Sequence, residues 1–204
     1  MMNANYIELF FDCSSPWTYL SFNALNNLAK EHNLEIKYKP ILVGGIFNSV
    51  NPSVYKSREN PIPSKELYYS QDIQSWSLIR DITINWPTIF PINSVKAMRG
   101  CIYANSQDTI HNFALDVFKA YWTDNKDISS DEVLKEICIQ NDMNPSEFFE
   151  FITMPSTKQE LIKNSEDLIE KGGFGSPTFF YKDKIFFGND RLELLSSLLK
   201  KSLL

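Results

Sequence analysis

The chain is 204 residues long, 43% hydrophobic and 22% charged, the composition of a protein that buries a core and not of a disordered one. A formal net charge of −5 argues against a broad phosphate-binding surface, and so against nucleic acid as a partner. No stretch approaches the roughly 18 apolar residues that a membrane span requires, and residues 1–11 lack the basic region of a signal peptide.

From Tyr6 to Phe11 an apolar run reads as a buried strand. Within a few residues a helix begins, with Ser15 at the N-cap and Pro16 at the first helical position, where its fixed φ suits the turn. Leu20, Phe22, Leu25 and Leu28 then fall near one helical face. A strand that stops where a helix begins directs orphan N–H groups and the positive end of a dipole at one spot. That spot favours an anion, and Ser15 supplies a hydroxyl beside it.

The helix should end near His32-Asn33, and residues 34–39 alternate as a second strand closed by Pro40. This β-α-β order predicts parallel neighbours. Residues 41–64, with Gly44-Gly45, Pro52, Pro61 and Pro63, read as a long irregular loop of the kind that is often functional. Helices are predicted over 65–81, 95–105, 109–122, 130–141, 145–152 and 156–171, with breaks at Asn85-Trp86-Pro87 and Phe90-Pro91 and a stop at Gly172-Gly173. Residues 178–181 and 185–187 are short strands across a turn at Lys182-Asp183-Lys184, and Asp190 starts a last helix. The first and last pieces, 1–50 plus 172–204, can form one sheet-containing domain, with 51–171 inserted as a helical one.

Cys13, Cys101 and Cys138 are widely spaced and never form a C-x-x-C, so with His32 and His111 they assemble no zinc pattern and no metal is expected. They read as reduced, buried thiols in a reducing compartment. Each Asn-X-Ser sequon, at Asn51 and Asn144, carries Pro in the middle, which blocks glycosylation. The expected location is the cytoplasm. Trp76, Trp86 and Trp122 are expected in the core, some facing an aromatic substrate. His32 reads as a helix-end residue and His111 as a surface or packing residue.

The element order is that of the thioredoxin fold with an inserted all-helical domain, an α/β class. Four segments narrow it: Phe11-Asp12-Cys13-Ser14-Ser15-Pro16-Trp17-Thr18-Tyr19-Leu20, Phe90-Pro91-Ile92-Asn93-Ser94, Phe174-Gly175-Ser176-Pro177-Thr178 and Gly188-Asn189-Asp190-Arg191-Leu192. Together they resemble the 2-hydroxychromene-2-carboxylate isomerases and the related kappa-class glutathione transferases, within the DsbA-like group. The resemblance implies glutathione as cofactor and Ser15 as the catalytic serine, with Pro16 and Trp17 lining the glutathione thiol. It places Asn51, Pro63 and Lys65 against the tripeptide from the helical side. Ser176, before a proline that the fold holds in cis (Pro177), would pair its backbone with the cysteinyl part, and Asn189 and Asp190 would bind the γ-glutamyl end. A homodimer is also implied. Position 176 usually carries an aliphatic residue in this family, so Ser176 predicts a more polar pocket beside the thiol.

A free thiol has a pKa of about 8.5, so only a few per cent is the nucleophilic thiolate near neutrality. A hydroxyl donating to the sulfur at a helix N-terminus favours the anion. A depression of about one to two units corresponds to about 1.4–2.7 kcal/mol. Ser15 through Thr18 stands where a redox relative would carry Cys-X-X-Cys, with hydroxyls in place of both sulfurs, so thiol–disulfide exchange is not expected there; Cys13, two residues upstream, is expected on the strand and would have to be reoriented to serve. For an isomerase the resemblance implies reversible addition of the thiolate to a conjugated 2-oxo acid, rotation, and elimination. Lys65, Arg80, Asn93 and Arg99 are the possible partners for a substrate carboxylate. The other readings are a kappa-like transferase or peroxidase, and a non-catalytic or DsbA-like thioredoxin-fold protein.

Overall fold

Strand β1 (Tyr6–Phe11) is covered on both faces in the computed structural model, which describes residues 6–203. Ile7, Leu9 and Phe11 point one way and Phe10 the other, and all four are buried, which accounts for the continuous apolar run. Helix α1 (Pro16–Glu31) follows, and β2 (Glu35–Pro40) returns parallel to β1 with Phe11 opposite Pro40. Eight helices come next: α2 (Val43–Val50), α3 (Ser53–Glu59), α4 (Pro63–Arg80), α5 (Val95–Ser106), α6 (Ile110–Trp122), α7 (Asp131–Gln140), α8 (Pro145–Thr153) and α9 (Pro155–Glu170). Strands β3 (Thr178–Tyr181) and β4 (Lys184–Phe187) and helix α10 (Arg191–Lys200) close the described chain. The sheet order is β2-β1-β3-β4, with β3 antiparallel to both neighbours. This is the thioredoxin arrangement.

The main core joins the Ile7, Leu9 and Phe11 face of the sheet to α1 and to the helices between β2 and β3. Tyr19 on α1 stacks on Phe118 of α6 with ring centroids 5.3 Å apart and planes 5° from parallel. Trp122, at the end of α6, is wholly buried. A smaller cluster on the other face holds Phe10, Ile41, Ile46, Leu168 and Phe180, with Phe10 edge-on to Phe180 at 5.6 Å. No helix among the described residues is long and apolar enough to cross a membrane.

Four expectations need correction. Residues 41–64 are mostly helical, as α2, α3 and the first turn of α4, not an irregular loop. Gly44 and Gly45 each lower helix propensity by about 1 kcal/mol, but Ile46 is buried in the second cluster and holds α2 against the sheet. Pro63 sits in the first turn of α4, where its missing N–H does no harm. Pro40 is the last residue of β2, an edge strand that tolerates it. Cys13 lies in the turn after β1 rather than on the strand. Trp76, on α4, is only half-buried and Trp86 is 58% exposed, so neither is core, although the Trp86 ring lies 4.9 Å from Phe90 and 5.7 Å from Trp122.

Candidate functional site

The turn that links β1 to α1 is fixed on several sides. Asp12 directs one carboxylate oxygen to the Ser14 N–H and the other to the Val43 N–H at the start of α2, both at 2.9 Å. Burial pushes its carboxyl above the usual carboxylate value, against the pull of those N–H groups and of the Ser94 side chain. The Trp122 indole N–H donates to the Cys13 carbonyl at 2.9 Å, and Ser15 N donates to the Asp12 carbonyl at 3.1 Å.

Ser15 is the N-cap of α1, as its position before Pro16 predicts. Its hydroxyl oxygen accepts from Thr18 N at 3.3 Å and the hydroxyl donates to the Ser176 carbonyl at 3.0 Å. The Ser176–Pro177 bond is cis, as is Phe90–Pro91. The Ser176 hydroxyl accepts from Asp12 N at 2.9 Å and lies 2.8 Å from Thr18 Oγ1. It is therefore directed into the junction of β1, α1 and the cis-proline loop, and does not present a free polar group. Sequence reasoning missed Asp12 and Thr18 as supports. The usable signals were a lone acid at the strand end and a hydroxyl three residues after the N-cap.

Ser15, Pro16, Ser176 and Pro177 are thus brought together, with Pro16 buried and Trp17 half-buried on the first turn of α1. Asn51, just after α2, donates to the Phe174 carbonyl at 3.3 Å and so joins α2 to the segment leading into Ser176. Gly188 N donates to the Pro177 carbonyl at 3.1 Å, which carries Asn189 and Asp190 toward the same loop. Asn189 is buried, its Oδ1 accepts from Arg80 Nε at 3.3 Å, and its Nδ2 has no partner. Asp190 is exposed and pairs with Arg191 at 3.4 Å. Pro63 and Lys65 are exposed on the first turn of α4, with no side-chain bond to this cluster among the described residues.

Three of the four proposed carboxylate partners are already engaged. Arg80 pairs with Glu193 at 3.1 Å and lies over the Trp76 ring at 4.9 Å. Arg99 donates to the Ile152 carbonyl at 3.1 Å, and Asn93 caps Val95 N at 3.1 Å. The thiols are all free and buried, and burial pushes that of Cys13 well above its ordinary value. His32 caps the end of α1, and His111 packs on Phe22. No group of three or more His, Cys, Asp or Glu among the described residues could hold a metal.

What the turn offers chemically is a nearly buried hydroxyl at the positive end of a helix, facing a cis-proline loop, with Ser and Thr where a redox pair would sit. Known proteins share the fold that carries this turn. A 2-hydroxychromene-2-carboxylate isomerase of Sphingobium xenophagum is 25% identical over 193 residues, covering 95% of this chain and 97% of that one. Human glutathione S-transferase kappa 1 is 27% identical over 210 residues, covering 95% and 90%. A solved 2-hydroxychromene-2-carboxylate isomerase superposes with a TM-score of 0.82 at 23% identity, over 97% of this chain and 96% of that one. A probable DsbA oxidoreductase of Streptomyces coelicolor does so at 0.77 and 12%, over 97% and 89%. A family profile described as a DSBA-like thioredoxin domain matches residues 6–200, and with its fold and cis-proline loop in place the chain belongs to that family.

Proposed function

We propose that the chain is a glutathione-dependent cis–trans isomerase of the 2-hydroxychromene-2-carboxylate isomerase type, working as a cytoplasmic homodimer. The observation that carries this reading is the Ser15 hydroxyl at the α1 N-cap, 3.0 Å from the Ser176 carbonyl. Rotation about its χ1 would turn that proton from the carbonyl to a sulfur lying between α1 and the loop. Bound glutathione would supply a thiolate that adds reversibly to a conjugated 2-oxo acid, turning a carbon–carbon double bond into a single bond that rotates before elimination restores the double bond and releases the thiolate unchanged.

The residues present suit a tripeptide. Ser176 would offer its backbone to the cysteinyl unit as an added strand does, beside Pro16, Trp17 and Pro177. The buried, unpartnered Nδ2 of Asn189 suits an acceptor at the γ-glutamyl end, with Asp190 facing its amino group. Asn51, Pro63 and Lys65 would close the helical side. A kappa-like transferase or peroxidase would use the same thiolate on other electrophiles, and the kappa relative at 27% identity keeps that reading open. Hydroxyls at positions 15 and 18 disfavour a DsbA-like oxidoreductase.

The test is turnover of 2-hydroxychromene-2-carboxylate followed by ultraviolet absorbance. The expected result is a spectral change that requires glutathione and falls at least tenfold in Ser15→Ala. An unchanged spectrum removes the isomerase reading, and an equal rate in the variant removes Ser15. Conjugation of chlorodinitrobenzene without isomerisation would select the transferase.

A further inference from the structure

Arg58 joins Lys65 as a cation engaged by no acid among the described residues. Arg58, on α3, forms no ion pair and no side-chain hydrogen bond among the described residues. Its guanidinium lies instead 5.7 Å from the centre of the Phe47 ring and 5.3 Å from that of Phe90. These two rings stand on different segments, Phe47 on α2 and Phe90 on the stretch before α5. Phe47, on α2, reaches within 3.8 Å of where a side chain at Gly175 would begin, one residue before the carbonyl that receives the Ser15 hydroxyl. Phe90 lies 6.2 Å from Trp122, whose indole holds the Cys13 carbonyl two residues before Ser15. Arg58 therefore lies between a ring next to the cis-proline loop and a ring next to the Trp122 anchor of the turn, and the exposed Trp86 lies 4.9 Å from Phe90.

A guanidinium held by ring faces keeps its five N–H donors in one plane and free to meet a carboxylate two at a time. The neighbouring rings offer flat apolar surface to a conjugated system. In a chain of net charge −5, an uncompensated Arg at such a place marks where negative charge is received. We propose that Arg58 binds the carboxylate of a planar, conjugated acid, with Phe47, Phe90 and Trp86 facing its unsaturated body. This is the specificity residue for the electrophile, and as a statement about the substrate it rests on the reading of Ser15 given above. Arg80 cannot take this part without breaking its contacts with Glu193 and Asn189.

The probe is cinnamate, with cinnamyl alcohol as its uncharged counterpart, measured on the full chain by calorimetry and by Trp fluorescence. Arg58 is exposed, so Arg58→Met and Arg58→Lys should fold. Cinnamate affinity should fall at least tenfold in Arg58→Met and recover in part in Arg58→Lys, while cinnamyl alcohol binds wild type and Arg58→Met within twofold. Glutathione affinity should also stay within twofold. Unchanged cinnamate affinity overturns the proposal, and so does a tenfold loss for glutathione, which would make Arg58 a tripeptide contact. If wild type binds cinnamate in this manner but no glutathione, Arg58 stands and the Ser15 reading falls.

Discussion

Ser176→Ala removes an oxygen that serves two buried partners at once. Asp12 N donates to it at 2.9 Å, and Thr18 Oγ1 lies 2.8 Å away. A buried N–H left without an acceptor costs about 1–3 kcal/mol, and the lost hydroxyl pair about 0.5–1.5 kcal/mol more. The variant should therefore lose about 2–4 kcal/mol. For a chain of this size, at about 2–4 °C per kcal/mol, the melting temperature should drop by about 5–15 °C. Urea unfolding read by circular dichroism gives the loss as a lower midpoint at unchanged slope. Thr18→Val, alone and combined with Ser176→Ala, isolates the shared part, expected at about 0.5–1.5 kcal/mol. A loss below about 0.5 kcal/mol, or strict additivity of the two substitutions, would refute the claim that this hydroxyl ties the loop to α1.

Burial lowers the thiolate fraction of Cys13, and it pushes the Cys138 thiol up to about 12. Ellman's reagent at pH 8 should therefore find no fast thiol in the native protein and three after denaturation, and one rapid native thiol would contradict the packing. His111 lies 5.3 Å from Phe22 in a stacked pair, bonds Tyr38 at 3.0 Å, and is lowered by burial and by Lys30. An unfolded histidine titrates near about 6.5. The stability contributed by neutral His111 is thus present above that value and lost as pH falls through it toward the lowered native one. Urea midpoints should decline over that acid limb less steeply in His111→Asn than in wild type, and identical slopes would remove His111 as the cause.

Much of the frame was legible because local chemistry agrees with it. The apolar run of β1, the cap at Ser15 with Pro16 behind it, and the closing hairpin and helix each carry their own signal. The helix at 43–50 did not, because paired glycines argue against it and its support comes from the buried Ile46. Trp86 was misplaced because size alone suggests burial, whereas it lies at the rim against Phe90. The direction of the Ser176 hydroxyl was invisible in sequence, since its partners lie 158 and 164 residues away. Arg58 escaped for a related reason. Its neighbours are rings on α2 and on the segment before α5, and no motif surrounds it.

The claim on which the rest depends is that Ser15 keeps a bound sulfur anionic, and thiolate absorbance near 240 nm reads this directly. Titrating the glutathione complex from pH 5 to 10 should give a thiol about one to two units below the free value of about 8.5 in wild type. In Ser15→Ala the midpoint should return toward that free value. Superimposable titrations of the two proteins, or no bound thiolate in wild type, would contradict the account.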